Sequence, residues 1–376
     1  MQTDQAPILD LPAGPAARGL AHGEALRSRI ADKIERWRSV ISGVYRCDPS
    51  DFLARFLAGA NFRPAIERWS PGLLAEMSAI AVGADQPAEL IYALQLMDEE
   101  WWFAETAHEH CSSVAILPSR PGEPTRIGQT MDLPRWLDGS QAILRFPNED
   151  GVQTLIITSA GMVGLMGVNG HGLAVCMNSL RRLTNSRAGL PVSCCVRRIL
   201  TARGHDEAVR LTLETPHATA QNYLIADRSS ATAVECSATR SIPTRARELP
   251  NRVFHTNHAF ENDDERADLA PATPVDSLMR LASLRQRLGG LKRDVGLDDI
   301  KAAFGSQDDP KHPISKAPGA STKATTSRTF AAVIYELGDD ITVNFCGGPP
   351  SEQAWSTFGL GPAGEAIAAR HAPKAQ

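Results

Sequence analysis

Apolar positions in the first third of the chain recur at helical spacing. Leu26, Ile30, Ile34, Trp37 and Ile41 fall on one face with Arg and Glu opposite, which predicts a helix running on from Ala16. Asp48-Pro49-Ser50 interrupts it and starts a second helix. Ser70-Pro71-Gly72 starts a third, which passes through Met77 and Ile80 to Gly83. Asp85-Gln86-Pro87 reads as a fourth start, with a capping carboxylate and a proline in the first turn. Leu90, Leu94, Met97 and Trp101 follow at spacings of four, three and four, again one face. Residues 1–15 read as a loose leader, so the first 110 residues are expected to be helix and loop.

Beyond Cys111 the period shortens. Strands are expected near 112–117, 126–131, 141–146, 152–158, 162–168 and 172–178, with Asn169-Gly170-His171-Gly172 a strong hairpin turn. Helices near 191–203 and 206–214 precede a strand pair, 221–227 and 231–237. Helices near 274–288 and 297–304 lead into a polar loop, Ser306 to Ser327, and a last hairpin pairs 329–336 with 340–346. Blocks of antiparallel strands separated by paired helices suit two sheets packed face to face with helices outside. No internal repeat and no domain linker is visible.

Composition narrows the function classes. Of 376 residues, 43% are apolar, enough for a substantial core, and the formal net charge of -4 comes from scattered rather than clustered charges. Neither a nucleic-acid groove nor a membrane surface is suggested. No apolar run is long enough for a transmembrane helix, and Met1-Gln2-Thr3-Asp4-Gln5 does not open a secretory signal. Seven irregularly spaced cysteines argue for a reducing compartment, hence a cytoplasmic protein.

His108-Glu109-His110-Cys111-Ser112-Ser113 sits where helix gives way to strand. By local pattern alone, Cys111 reads as a small buried hydrophobe, the usual fate of a free thiol. His108, His110 and Cys111 with His255 and His258 suggest zinc, but no partner stands at structural-site spacing, and no metal is expected. Cys194-Cys195 read as packed thiols on an amphipathic helix, and Trp101, Trp102 and Phe103 as core.

Several short motifs change that reading of Cys111 when taken together. Gly19-Leu20-Ala21-His22-Gly23, Glu76 to Ala84, Cys111-Ser112-Ser113, Gly128-Gln129-Thr130-Met131-Asp132, Gly164 to Asn178 and His255-Thr256-Asn257-His258 occur in that order. In this the chain resembles the acyl-coenzyme A:6-aminopenicillanate acyltransferase family of N-terminal-nucleophile enzymes, whose relatives include carcinine and β-alanyl-dopamine hydrolases. It is more distantly similar to the choloylglycine hydrolases. The resemblance runs from about Gly19 to the last hairpin. It implies an α+β fold, a four-layer αββα sandwich of the N-terminal-nucleophile hydrolase type with a helical N-terminal segment.

The resemblance also implies self-cleavage between His110 and Cys111. Residues 1–110 would form a helical chain and 111–376 a catalytic one, held together as a heterodimer. Cys111 would be the nucleophile, Asp132 would hold its thiol or amine in register, and Asn257 and a donor at Asn178 would stabilise the oxyanion. Gln129 is a further site-support residue by the same likeness. Two departures stand out: His110 occupies a position where the family usually has Gly, and the usual Arg before the last hairpin is replaced by either Lys316 or Arg328.

The chemistry explains the residue types. A cysteine thiol has a pKa of about 8.5 and needs a base; a free α-amine with a pKa of about 8 supplies one on the same residue. Thioester chemistry of this kind needs no cofactor. The expected function is a self-processing cysteine amidohydrolase acting on an N-acylated small molecule. An acyltransferase delivering the acyl group to an amine is the alternative. A non-catalytic binding protein and a zinc hydrolase are the outer ones. Partners are expected to be the amide substrate and the chain's own two pieces, with a further homo-oligomer possible and neither nucleic acid nor membrane.

Overall fold

The computed structural model describes residues 6–103, 111–244, 249, 251–291, 293–317, 319 and 323–361, without the side chains of residues 101–103. In chain order it opens with β1 (Ile8–Asp10) and seven helices: α1 (Pro15–Ala25), α2 (Arg27–Gly43), α3 (Pro49–Ala58), α4 (Arg63–Trp69), α5 (Gly72–Ala84), α6 (Ala88–Leu94) and α7 (Met97–Phe103). Strands β2 (Ser112–Ile116), β3 (Thr125–Pro134), β4 (Gln141–Pro147), β5 (Gln153–Ser159), β6 (Met166–Asn169) and β7 (Leu173–Ser179) follow. Next come α8 (Val192–Ile199), α9 (His205–Glu214), β8 (Gln221–Ala226), β9 (Ala231–Cys236), β10 (Ser241–Thr244) and β11 (Arg252–His255). The chain ends with α10 (Val275–Leu284), α11 (Leu297–Phe304), β12 (Ser327–Leu337), β13 (Ile341–Cys346) and β14 (Ser356–Gly359).

Two sheets form the centre. One has eight strands in the order β1-β4-β5-β6-β7-β8-β9-β10, the other six in the order β11-β2-β3-β12-β13-β14. They meet face to face where β2 and β3 cross β7 and β8. Helix α9 lies against β8, β9 and β10, and α10 and α11 lie against the six-stranded sheet. The expected order of layers, helix–sheet–sheet–helix in an α+β fold, is therefore present. Side-chain alternation along β2 serves two cores: Cys111 and Ala115 join the apolar cluster between the sheets, whereas Val114 and Ile116 join the one under α10 and α11.

The N-terminal helices belong to the same core as the sheets. Glu76 on α5 binds Arg18 on α1 at 2.7 Å and Arg197 on α8 at 2.8 Å, all three buried. His22 accepts a hydrogen bond from the Gly161 N–H at 3.0 Å, and the Lys33 ammonium donates to Ser159 Oγ at 3.0 Å and to the Ala160 carbonyl. Gly19, Gly23 and Gly83 let α1 and α5 touch backbone to backbone. A Cβ on Gly19 would lie 2.2 Å from the Glu76 carbonyl oxygen. The Gly-x-x-His-Gly motif at residues 19–23 is thus a packing device in this fold.

Several expectations need correction. The leader contains β1, which pairs in parallel with β4, a non-local contact that three residues cannot announce. Four expected helices are seven. The pattern from Leu26 to Ile41 belongs to α2, separate from α1, and the stripe Leu90, Leu94, Met97 and Trp101 spans a break between α6 and α7. Every residue from Leu90 to Glu100 is buried, so no periodic contrast marked that break. Strand β6 begins at Met166 rather than near 162, because Gly161 turns the chain with φ +82°. Short strands β10, β11 and β14 were not expected. The helix expected near 274–288 holds as an α-helix only to Leu284 and closes with a π-helical turn, Arg285–Gly289.

Candidate active site

Strand register brings the site together. In the antiparallel pair β2–β11, His255 lies opposite Ser113, so two residues further on Asn257 falls beside Cys111. The Cys111 backbone N–H donates to Asn257 Oδ1 at 2.9 Å. In the pair β2–β3, Ser112 lies opposite Thr130, which carries Asp132 past the end of β2 to the same edge. The side chain of Cys111 is buried among apolar neighbours at that edge.

Arg280 on α10 completes the arrangement and was not foreseen. Its guanidinium donates to the Cys111 carbonyl at 2.6 Å, to Ser112 Oγ at 3.0 Å and to Asn257 Oδ1 at 2.9 Å, while Nε holds Asp276 at 2.8 Å. It is only 1% exposed. A signal existed: Asp276 and Arg280 stand four apart, the only charged residues of α10, with Arg280 buried on the face of Leu281 and Leu284. A basic side chain beside Cys111 is thus supplied by this helix.

Asp132 is buried and its carboxyl is pushed up to about 7 by desolvation, with the Thr329 hydrogen bond and the charges of Lys316 and Arg280 pulling the other way. Thr329 Oγ1 donates to Asp132 Oδ1 at 2.7 Å and accepts from the Lys316 backbone N–H at 2.9 Å. Lys316 therefore flanks Asp132, and burial lowers its own ammonium pKa. Arg328 points elsewhere, to Asp138 at 3.0 Å. Of the two residues weighed for the position before the last hairpin, Lys316 is the one at the site.

A pocket opens between Cys111 and the preceding helices. Met97, Met131, Leu133, Leu165 and Met177 form its apolar wall; Asp98, Asp132, Ser179 and Gln221 line it together with Cys111. Asn178 faces β2 instead: its Oδ1 accepts from Ser113 Oγ at 2.7 Å and Asn222 Nδ2 at 2.9 Å, and its Nδ2 has no partner among the described residues. Gln129 crosses between the sheets, its Oε1 accepting from the Met177 N–H at 2.7 Å. Asn257 Nδ2 donates to the Ser179 carbonyl at 3.1 Å.

The loop carrying Asn257 is moored from beneath. Glu235 binds His255 Nε2 at 2.9 Å and accepts from the N–H groups of Phe260, Glu261 and Asn262. His258 Nδ1 lies 2.8 Å from Ser277 Oγ. These histidines thus have protein partners, and among the described residues no His, Cys, Asp and Glu cluster suits a metal. His108 and His110, and with them the proposed cleavage position, lie outside the described residues, as do the side chains of Trp101, Trp102 and Phe103. Cys194 and Cys195 are buried on α8, as packed thiols would be. Among the described residues no helix is long and apolar enough to cross a membrane.

Comparison with known proteins bears on this geometry. A family model described as acyl-coenzyme A:6-aminopenicillanic acid acyl-transferase matches residues 136–347, more than half of the chain. An acyl-coenzyme A:6-aminopenicillanic-acid-acyltransferase (40 kDa form) from Emericella nidulans is 25% identical over 352 residues, covering 92% of this chain and 94% of that protein. Among solved structures, a penicillin V acylase from Agrobacterium tumefaciens matches with a TM-score of 0.43 at 13% identity, over 66% of this chain and 86% of that one. A variant of a conjugated bile acid hydrolase from Clostridium perfringens matches with 0.42 at 12%, over 66% and 97%. Membership rests on the family match: the chain belongs to the acyl-coenzyme A:6-aminopenicillanic acid acyltransferase family, enzymes of amide-bond chemistry.

Proposed function

We propose that this protein cuts itself between His110 and Cys111 and then works as a cysteine amidohydrolase on an N-acylated small molecule. The observation that carries this reading is the Cys111 backbone nitrogen, held at 2.9 Å by Asn257 Oδ1 while the same residue lines a pocket beside Asp132. A backbone nitrogen anchored by a side chain stays in place when it becomes an α-amine. In the precursor the Cys111 thiol adds to the His110 carbonyl, the Cys111 nitrogen leaves with a proton, and water opens the resulting thioester. In the processed enzyme the thiol attacks the substrate amide, its proton passing to the α-amine and on to the leaving amine.

In this reading Asn257 stabilises the oxyanion, supported by the second N–H its amide has beyond the one given to Ser179. Asn178, tied to Ser113, supports the same edge from behind. Asp132, with a pKa near neutrality, keeps the new amine or thiol in register.

Mass analysis of protein purified without added protease tests the reading. A fragment starting at Cys111 is expected, Cys111→Ala remains one chain, and a thiol alkylator abolishes activity that chelation leaves intact. Full activity in a permanently uncut chain overturns it.

The family's name favours a second reading, acyl transfer. No Gly-rich turn leading from strand to helix and no Lys or Arg cluster offers a seat for a coenzyme A pyrophosphate, so water is the expected acceptor. With rising amine in the assay, free acid should remain the main product. Saturation of new amide at low amine concentration would establish the transferase instead.

A further inference from the structure

The charge lining the pocket narrows the substrate. Its wall is methionine and leucine, and two of its polar residues are carboxylic acids, Asp98 from α7 and Asp132 from β3. No lysine or arginine lines it among the described residues. The basic groups that act on these acids are not among the lining residues: Lys316 and Arg280 bear on Asp132, and Arg181 bears on Asp98. Asp98 Oδ1 accepts from Gln221 Nε2 at 3.1 Å, which turns the other end of the Gln221 amide loose.

Among the residues lining the pocket, the unpaired side-chain atoms are oxygens. Gln221 Oε1 and Asp132 Oδ2 are buried without a hydrogen-bond partner among the described residues, and the two side chains are 0% and 1% exposed. Gln221 Oε1 is an acceptor and Asp132 Oδ2 is one whenever its carboxyl is ionised, and both belong to residues lining the pocket. Buried acceptors left without donors cost stability, so such atoms mark where a ligand brings N–H groups.

We infer that Asp98 and Gln221 form a subsite for a protonated amine, so that the amide substrate is a small apolar molecule carrying an ammonium group. This rests on the reading above that Cys111 attacks in this pocket. An ammonium brings three donors to the unpaired buried acceptor of Gln221 and to the Asp98 carboxyl, and its carbon body would lie against the Met97, Leu165 and Met177 wall. A carboxylate-bearing amide would instead face two acids with no lining cation to meet it. The subsite also assigns a specificity residue, Asp98, to the segment that precedes the proposed cut. The N-terminal piece then remains part of the working site.

The ammonium can sit on the acyl side or on the amine side of the scissile bond, and two substrate sets separate these. The first comprises the p-nitroanilides of δ-aminovaleric, hexanoic and glutaric acids. The second comprises N-hexanoyl putrescine, N-hexanoyl pentylamine and N-hexanoyl γ-aminobutyrate. In at least one set the cationic member should exceed the anionic one in kcat/KM by about tenfold or more, the size of one good charge-assisted contact.

Asp98→Asn should reduce the cationic-over-neutral ratio by about tenfold, mainly through KM, and Gln221→Leu should shift it the same way. Anionic members cleaved as well as cationic ones, or a ratio unchanged in Asp98→Asn, overturn the inference. Calorimetric binding of pentylammonium, pentanol and pentanoate gives a readout independent of turnover. Should no amide be cleaved and no fragment form, the hydrolase reading fails, while pentylammonium binding no tighter than pentanoate overturns this one separately.

Discussion

At Cys111 the backbone N–H and C=O are both taken by side chains from distant parts of the chain, Asn257 and Arg280. Arg280 also serves Ser112 and Asn257, so one guanidinium sets the position of Cys111 and of its neighbours together. Arg280→Ala removes the guanidinium donor shared by these acceptors and Asp276. It should cost about 2–4 kcal/mol of stability and slow appearance of the Cys111 fragment, measured by denaturant melts and a time course of intact mass. Arg280→Lys keeps the charge without the fork and should fall between. In the proposed mechanism Asp132 acts through its proton. Its folded pKa of about 7 lies above the ordinary carboxyl value, so its contribution to stability is complete well below pH 4 and is lost as pH rises through 7. Asp132→Asn should remove an inflection near pH 7 from kcat/KM and lower it by roughly a hundredfold or more, checked by a pH–rate profile against wild type.

Among the elements, α7 is unusual in burying three consecutive acids. Asp98 touches Gln221, Glu99 accepts from the Val192 N–H and Thr219, and Glu100 accepts from Trp37 Nε1 on α2. Burial raises the pKa of all three. For Glu100 the folded value is pushed up to about 8, so its protonated form is favoured on folding. That advantage is complete below pH 4.5 and disappears as pH rises through 8. Comparison with Glu100→Gln, which cannot titrate, isolates the effect. Wild type should lose stability relative to the variant across this range, by an order-of-magnitude few kcal/mol, in denaturant melts at matched pH. A gap that stays constant from pH 5 to about 9 would mean that Glu100 is already ionised in the fold. The pairing of α1 with α5 is decided differently, by absent side chains: Gly19, Gly23 and Gly83 allow contact distances that any Cβ would prevent.

Over the whole molecule, the N-terminal helices are bound to the remainder by more than a continuous chain. Glu76 joins Arg18 and Arg197 across the proposed cut, both guanidinium groups lie over the Phe146 ring, and His22 and Lys33 reach the turn at residues 159–161. A shared apolar core lies around these contacts. The two pieces left by cleavage should therefore co-elute in gel filtration without a denaturant. Glu76→Ala leaves two buried guanidinium groups facing each other, and should destabilise by about 3–5 kcal/mol, read as a lowered melting midpoint. The same variant should release the N-terminal piece more readily from processed protein.

Local pattern in the sequence was enough for the layer plan, most of the strands and the hairpin at residues 169–172, and the family resemblance for the grouping of Cys111, Asp132 and Asn257. Strand alternation, turn chemistry and motif order are properties of neighbouring residues, and they survive without coordinates. Arg280 did not, because a charged residue on an apolar helix reads as a surface position until the sheet beneath supplies three acceptors. The choice between Lys316 and Arg328 waited for the same reason: both are basic residues near β12, and only packing turns one toward Asp132 and the other toward Asp138. β1 and the break between α6 and α7 were hidden too, the first by depending on a partner over a hundred residues away, the second by uniform burial. What the sequence determined by itself were the residues able to do the chemistry and their approximate order in space. Tertiary structure alone decided which buried polar atoms are paired and which face the pocket, because pairing depends on distances between segments that no local spacing encodes.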